Sequence, residues 1–486
     1  MKRPSPSTNN EFQTLDALLN PKSIALFGAS NQPGKVGYVC LQNLQGAYAG
    51  KIYPIHPEEK EILGLPAYLN LDQVPGPIDL AFIIVPVEAV RSVIDQCGRK
   101  GVPGGVLITS GFAEVGPEGK ALQDEVAHRA KEWGLRLIGP NCFGVLNCTA
   151  KLNASIAVIM PEGGGKISFV VQSGAYGMAV CALARDHHLK VAKIIGLGNK
   201  CDLKDDEILR FLAEDPETQV IAFYSESIEE ESAFFAEGKR ISPRKPIVIC
   251  KQGRTPEGRR SIQYHTATDP GVFAAQKAAF EEAGMIPVAN GVEMVQVAKA
   301  LAWQPLPRGN RVAIVTNSGG TAVELTDFCA EKGLAVPALS SILQEKLRPL
   351  VPVYATVKNP VDMTTIWPRF VEVYPKCIES FYESPEIDIV MPIMLHRSAM
   401  MREVSAAVRD AVHRCQREKG IEKPTYICWA SSREYIPNME ILESGEVPCF
   451  EWPEQTSRVA SLIYQYVRFR RGRGCPNYRV PAPGKG

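Results

Sequence analysis

Short apolar runs recur along the chain, and most of them end in glycine, serine or proline. Ser23–Phe27, Lys51–Ile55, Leu80–Val85, Gly105–Thr109 and Arg136–Ile138 form a first set, with helical patterns between them. Runs that are apolar on both faces and alternate with helices predict a parallel sheet covered on both sides. The pattern then repeats. Lys166–Val171, Lys193–Leu197, Val220–Tyr224 and Pro246–Cys250 make a second set, and Arg311–Thr316, Ile387–Ile393 and Thr425–Trp429 a third. The expected fold class is α/β, with three consecutive doubly wound domains over residues 13–147, 150–305 and 309–470. The first is Rossmann-like and the other two are of flavodoxin-like length. A chain of 486 residues suits three domains. The last helix is expected to end in a basic tail over Tyr464–Arg473.

Ligands of such sheets gather beyond the carboxyl ends of the strands, where helix N-termini leave backbone N–H groups open. In the first set those ends are Gly28-Ala29-Ser30-Asn31-Gln32-Pro33-Gly34-Lys35-Val36-Gly37, His56-Pro57, Val85-Pro86, Ser110-Gly111-Phe112 and Gly139-Pro140-Asn141-Cys142. They are small, proline-rich and uncharged apart from Lys35. The first turn is longer than a dinucleotide GxGxxG turn, and the usual ribose-binding acid after the second strand is missing, because Glu58 lies past the proline turn. The set suits the pantetheine and diphosphate of coenzyme A better than a nicotinamide ribose. A turn that binds nothing is the plain alternative.

In the second set, Gln172-Ser173-Gly174-Ala175-Tyr176-Gly177 leads from strand to helix, and Tyr224-Ser225-Glu226-Ser227-Ile228 ends the third strand. The fourth strand runs into a Gly-rich basic stretch, Lys251–Arg260, read as a loop. Ser261-Ile262-Gln263-Tyr264-His265-Thr266-Ala267-Thr268-Asp269-Pro270-Gly271 follows, and a helix is expected from Val272 to about Ala283. His265 is thus expected in a strand-to-helix loop, on one edge with Ser173, Gly174 and Glu226. A lone loop histidine is more often merely solvated. A histidine that acts as a nucleophile must attack as a neutral imidazole of one tautomer. A carboxylate on its other nitrogen fixes that tautomer and stabilises the developing cation. Glu226 is the candidate, and Glu229, Glu230 and Glu231 read as a solvated helix start. Asn317-Ser318-Gly319-Gly320-Thr321 repeats the strand-to-helix design in the third set, with a packing glycine pair as the alternative.

The succession GAS…PGKVG, YPIHP, IIVP, TSGFAEVG and GPNCFGVLN resembles the CoA-binding domain of the NDP-forming acyl-CoA synthetases. Among these it resembles the ADP-forming acetyl-CoA synthetases, cousins of succinyl-CoA synthetase, and the resemblance runs to near residue 470. It implies a CoA-binding Rossmann-like domain, a flavodoxin-like domain carrying a phosphorylated histidine, and a flavodoxin-like ligase-CoA domain. It assigns CoA contacts to Gly28, Ala29, Ser30, Pro33, Lys35, Val36, Pro57, Val85, Pro86, Ser110, Gly111 and Asn141. Tyr224-Ser225-Glu226-Ser227-Ile228 matches the family's Tyr-x-Glu-x-Ile motif, whose glutamate orients the histidine. His265-Thr266 matches the core of the phosphohistidine stretch. Ser173, Gly174, Gly319 and Gly320 would hold the phosphoryl group. Lys358-Asn359-Pro360-Val361-Asp362 matches a family turn, read as structural. The implied reaction is acid, CoA and ATP to acyl-CoA, ADP and phosphate, through an acyl phosphate and a phosphohistidine.

The chain departs from the pattern around the histidine. Tyr264 replaces a small residue, Ala267 a glycine, and Asp269-Pro270 small apolar residues. A Cβ crowds a phosphoryl group and Asp269 adds negative charge. A second reading therefore stays open, a CoA- or acyl-CoA-binding scaffold whose site has drifted. A nicotinamide-linked Rossmann enzyme is a third.

A net charge of +1 with 22% charged residues gives no nucleic-acid footprint. No uncharged apolar run reaches the roughly 18 residues of a membrane span. Met1–Asn10 has no apolar stretch behind it and reads as a short disordered arm, not a secretory signal. The 13 cysteines are scattered without CxxC or metal spacing. Cys181, Cys250 and Cys428 sit in apolar runs as small buried hydrophobes. A cytoplasmic location and no metal on this chain are expected. No P-loop occurs, and no stretch is left for an ATP-grasp module. The chain is expected to act as an α subunit with a separate ATP-grasp β subunit, in an α2β2 complex, which would hold Mg-ATP and ADP.

Overall fold

The computed structural model describes residues 8–266 and 268–475. The chain divides into two compact units, before and after the Gly291–Val292 junction.

The first unit holds two large sheets and a two-stranded ribbon of Glu61–Ile62 with Leu65–Pro66. β1 (Ser23–Phe27), β2 (Lys51–Ile55), β3 (Leu80–Ile83), β4 (Gly104–Leu107) and β5 (Arg136–Ile138) form a parallel sheet in the order β2-β1-β3-β4-β5. The order reverses beside β1, so the crevice of this doubly wound sheet opens at the end of β1. β1, β3 and β4 are buried throughout, because helices cover both faces. α1 (Thr8–Leu19), α2 (Val36–Ala47), α3 (Val90–Lys100) and α4 (Pro117–Trp133) belong to this half. α3 shows how pattern becomes packing. Its Val90, Val93, Ile94 and Cys97 recur at helical spacing and are buried. Gly101 then closes the helix at φ 75°, a backbone state that costs glycine nothing. Thr8–Asn10, expected in a disordered arm, begin α1 because Leu15, Leu18 and Leu19 give that helix an apolar face in the core. Met1–Ser7 lie outside the described residues.

The second sheet has seven strands. β6 (Gly144–Asn147), β7 (Leu152–Ser155), β8 (Ile167–Val171), β9 (Val191–Gly196), β10 (Val220–Ser225), β11 (Ile247–Lys251) and β12 (Ile286–Pro287) lie in the order β12-β11-β10-β8-β9-β6-β7. β8 to β12 are parallel, as the apolar runs predict. β6 and β7 form an antiparallel hairpin on the β9 edge, which those runs do not show. α5 (Gly174–Asp186), α6 (Asp205–Glu214), α7 (Glu231–Ile241), α8 (Pro256–Thr266) and α9 (Phe273–Glu282) complete this half. The two halves interlock: Asn43 Nδ2 donates to the carbonyls of Ser155 and Ala157, and Arg136 on β5 pairs with Asp202 and Glu207.

In the second unit, β13 (Val312–Thr316), β14 (Val361–Asp362), β15 (Ile389–Leu395), β16 (Ile427–Ala430) and β17 (Cys449–Glu451) form a parallel sheet in the order β14-β13-β15-β16-β17. α10 (Gly291–Trp303) crosses the junction, and α11 (Gly319–Glu331) follows β13. Asn359 splints the turn before β14: its Oδ1 accepts from the Ile314 N–H at 3.0 Å and its Nδ2 donates to the Val312 carbonyl at 2.7 Å. That is a structural role for the Lys358–Asp362 turn. The last helix, Trp452–Gly472, stays helical through much of the expected basic tail. Among the described residues no helix is long and apolar enough to cross a membrane. Cys181 and Cys428 are buried, and burial pushes both thiols up to about 12.

Candidate active site

The first-sheet residues expected at CoA all lie at or just past strand ends. Gly28 follows β1 at φ 86°, and a Cβ there would stand 2.2 Å from the Ile84 carbonyl oxygen. Packing alone therefore demands that glycine. Ala29 is buried in the core, so only its backbone could face a ligand. Ser30 Oγ accepts from the Gln32 N–H at 3.0 Å and shapes the turn. Pro33, Lys35 and Val36 are exposed where the turn enters α2. Pro57, Pro86 and Ser110 are exposed, while Val85, Gly111 and Asn141 are half-buried.

Sequence reasoning passed over Glu114, three residues after Gly111. Its carboxylate accepts from the Gly111 N–H at 2.6 Å and from Asn199 Nδ2 at 2.6 Å. Burial works to raise its pKa, yet these bonds hold it below the usual carboxylate range. Glu114 thereby ties the Ser110–Gly111 turn to the second sheet.

The histidine does not lie in a loop. Pro256–Thr266 is α8, and His265 stands in its last turn. The signals were Thr255-Pro256-Glu257. Thr255 Oγ1 accepts from the Gly258 N–H at 3.1 Å as an N-cap, Pro256 is preorganised for the first turn, and Glu257 suits the positive helix end. The glycines and arginines of the stretch hid them. The C-terminal end of a helix favours a developing imidazolium.

Glu226 follows β10, and its Oε2 lies 2.9 Å from His265 Nδ1. The carboxylate side chain is 5% exposed and the imidazole 55%. One partner is fixed in the protein and the other is open to a reactant. A carboxylate at Nδ1 holds the proton there and leaves Nε2 the lone pair. Tyr224 Oη donates to the other carboxylate oxygen at 3.3 Å. Burial pushes this hydroxyl up, so it remains a donor.

Ser173 caps α5 without using its side chain, and Gly174 opens the helix. A Cβ at Gly174 would meet nothing nearer than 3.7 Å, whereas one at Gly177 would stand 2.6 Å from the Phe143 ring. Gly177 is a packing glycine and Gly174 is not. In the second unit, Gly319 and Gly320 open α11 and are exposed. A Cβ at Gly320 would meet nothing within 4 Å, so packing does not explain that glycine either.

Of the departures, Tyr264 is 83% exposed. Asp269 is exposed and its Oδ1 accepts from the Gly271 N–H at 2.9 Å. Pro270 is buried, and Ala267 lies outside the described residues. Among the described residues, no group of three or more His, Cys, Asp and Glu could hold a metal ion.

Three family models match along the chain in turn: a CoA binding domain over residues 22–147, a succinyl-CoA ligase like flavodoxin domain over 164–301, and a ligase-CoA domain over 312–474. The α subunit of acetate–CoA ligase (ADP-forming) II from Pyrococcus furiosus is 36% identical over 456 residues, covering 93% of this chain and 98% of that one. The chain belongs to the ADP-forming acyl-CoA synthetases. It corresponds to their α subunit. Acetate–CoA ligase (ADP-forming) I from Archaeoglobus fulgidus is 32% identical over 93% of this chain, which spans 64% of that longer protein. The dinucleotide forming acetyl-coenzyme A synthetase 1 of Ca. Korarchaeum cryptofilum, solved with phosphate and ADP, superposes with a TM-score of 0.86 at 33% identity, over 94% of this chain and 97% of that one. In this synthetase family the strand-end residues of the first sheet belong to a CoA-binding domain, in place of the nicotinamide reading.

Proposed function

We propose that His265 is the phosphoryl carrier of this acyl-CoA synthetase. The observation that supports it is the 2.9 Å pair between His265 Nδ1 and the buried Glu226 carboxylate. In the direction of synthesis, Nε2 attacks the terminal phosphorus of ATP. An N–P bond forms, the P–O bond to ADP breaks, and the imidazolium charge rests against Glu226. The phosphoryl group then passes to the substrate carboxylate: the N–P bond breaks, an O–P bond forms, and an acyl phosphate results. The CoA sulfur attacks the acyl carbon, phosphate leaves with its C–O bond, and the thiol proton goes to solvent. Ser173 and Gly174 hold the phosphoryl charge through an open helix N-terminus, and Gly319 and Gly320 open a helix whose N-terminus suits the same charge. The first sheet holds CoA, with Lys35 toward its phosphates and Pro33, Val36, Pro57, Val85, Pro86, Ser110, Gly111 and Asn141 around the chain. Nucleotide and Mg sit on a separate ATP-grasp β subunit, in an α2β2 complex in the cytoplasm. The named α subunits among the relatives support a partner chain.

The drifted-scaffold reading loses support from the geometry. Tyr264 is exposed and Asp269 is engaged with its own turn, so neither residue disturbs the Glu226–His265 pair. The test is His265→Ala in the purified complex with radiolabelled ATP. Label on the wild-type α chain and none on the variant is expected. Label that persists without His265 sinks the assignment.

A further inference from the structure

Glu226 and Ser227 lie just past the last ladder pair of β10, Ser225 with Lys251. Their backbone groups are nevertheless buried and bonded, and side chains supply the partners. The Oε1 of Gln172 accepts from the N–H of Glu226 at 2.9 Å and from that of Ser227 at 3.0 Å. Its Nε2 donates to Ser227 Oγ at 3.0 Å. Lys251 Nζ donates to the Glu226 carbonyl and Lys200 Nζ to the Ser227 carbonyl, each at 2.7 Å. Gln172 differs from the two lysines in where it comes from. It is the residue between β8 and Ser173, which caps α5. It is 2% exposed, and its own N–H donates to the Tyr224 carbonyl at 3.2 Å. One side chain therefore joins the start of the phosphate-facing helix to the turn that presents Glu226 to His265.

We infer that Gln172 is a positioning residue for phosphoryl transfer. It fixes the spacing between the helix start at Ser173–Gly174 and the Glu226–His265 pair, and through Glu226 it fixes the tautomer of His265. Phosphoryl transfer is almost wholly positioning and electrostatics, and a misplacement on the order of 1 Å costs about a hundredfold. Two N–H groups from successive residues meet one acceptor. Glu226 therefore cannot shift without breaking both bonds. The inference rests on His265 being the phosphoryl carrier.

The experiment labels the full-length chain with radiolabelled acetyl phosphate and follows His265 by nitrogen NMR. Gln172→Leu removes both acceptor bonds. Gln172→Glu keeps them, because a carboxylate oxygen stands where the amide oxygen stood. CoA affinity reports whether each variant is folded. Labelling of Gln172→Leu is expected to slow by roughly tenfold to a hundredfold with CoA affinity kept within about twofold. Its His265 signal should move from the Nδ1–H form toward the Nε2–H form that free imidazoles prefer. Gln172→Glu should recover most of the rate and the wild-type tautomer. A Gln172→Leu chain that labels at the wild-type rate overturns the inference. So does one that loses label only in proportion to its loss of CoA binding, with the tautomer unmoved, since that is a purely structural residue. If Gln172→Leu does not fold, Gln172→Glu decides: a slowed rate with an altered tautomer despite normal CoA affinity sinks the two-acceptor argument. No label on the wild type, with CoA bound normally, overturns the carrier reading and this inference with it.

Discussion

Tyr176 stacks on Tyr224 with ring centroids 3.6 Å apart and planes 20° from parallel. Tyr176 lies in the first turn of α5, and Tyr224 donates to Glu226. The stack is a second tie between the start of α5 and the carboxylate that holds the histidine. Tyr224→Phe keeps the stack and loses the hydroxyl. A hydrogen bond to a charged group contributes about 1.5–3 kcal/mol at good geometry, and 3.3 Å is long. The variant should melt within a few degrees of wild type and phosphorylate His265 about threefold to tenfold more slowly. Thermal unfolding and single-turnover labelling check this.

Gly174 and Gly177 sit one turn apart on α5 and should respond oppositely to the same substitution. Gly177→Ala drives a methyl into the Phe143 ring and should cost about 1–3 kcal/mol of stability. Gly174→Ala makes only ordinary contacts, at 3.7 Å or more, and should leave stability nearly unchanged, yet slow phosphoryl transfer where the helix start must be approached closely. Denaturant titration beside labelling separates the two. Equal losses of stability at both positions would refute the distinction.

Lys251 gives a pH signature. Burial, with the nearby Lys200 charge, lowers its pKa from 10.5 to about 8. In the unfolded chain the amine keeps its proton up to its ordinary value. Between about pH 8 and 10.5 the unfolded state therefore binds more protons than the folded one, and stability rises with pH across that window. Below pH 8 both states are protonated, and the fold carries the full cost of a buried ammonium. Relative to Lys251→Met, the wild type should gain on the order of 2–3 kcal/mol between pH 8 and 10.5. Denaturant titrations of both proteins across this range measure the difference. A pH-independent difference would show that the ammonium is not penalised by burial.

In the second unit, Lys299 on α10 meets Glu443 at 2.5 Å with both side chains essentially inaccessible. Removing one partner strands the other charge, so Lys299→Met should destabilise by about 3–5 kcal/mol. Lys299→Met combined with Glu443→Leu should recover most of that loss. A double-mutant cycle in urea tests it, and a near-zero coupling would contradict the pairing.

Much of this architecture is readable before any coordinates. The strands at Ser23, Leu80, Ile167, Val220 and Val312 are doubly buried, and double burial writes itself as unbroken apolar runs. Glu226 could be paired with His265 because Glu226 follows β10 and His265 lies on the segment that follows the neighbouring parallel strand β11. What escaped depends on partners distant in sequence. Gln172 is an ordinary polar residue until β8 and β10 lie side by side. Leu152–Ser155 is too short and too polar to read as a strand, and gains that state only from β6. The helix over Pro256–Thr266 was written in Thr255-Pro256-Glu257 but masked by Gly253, Gly258 and three nearby arginines.

The hairpin of β6 and β7 has a consequence for anyone who would cut this protein into parts. It follows directly on the last strand of the CoA-binding sheet, yet it seals the flank of the next one along β9. A cut near residue 150 would tear that flank open. It would expose the backbone of Lys193–Gly196 as a bare template for any passing strand. The two halves of the first unit are spliced rather than tethered, and recombining such synthetases would have to carry the seam with the second half, not the first.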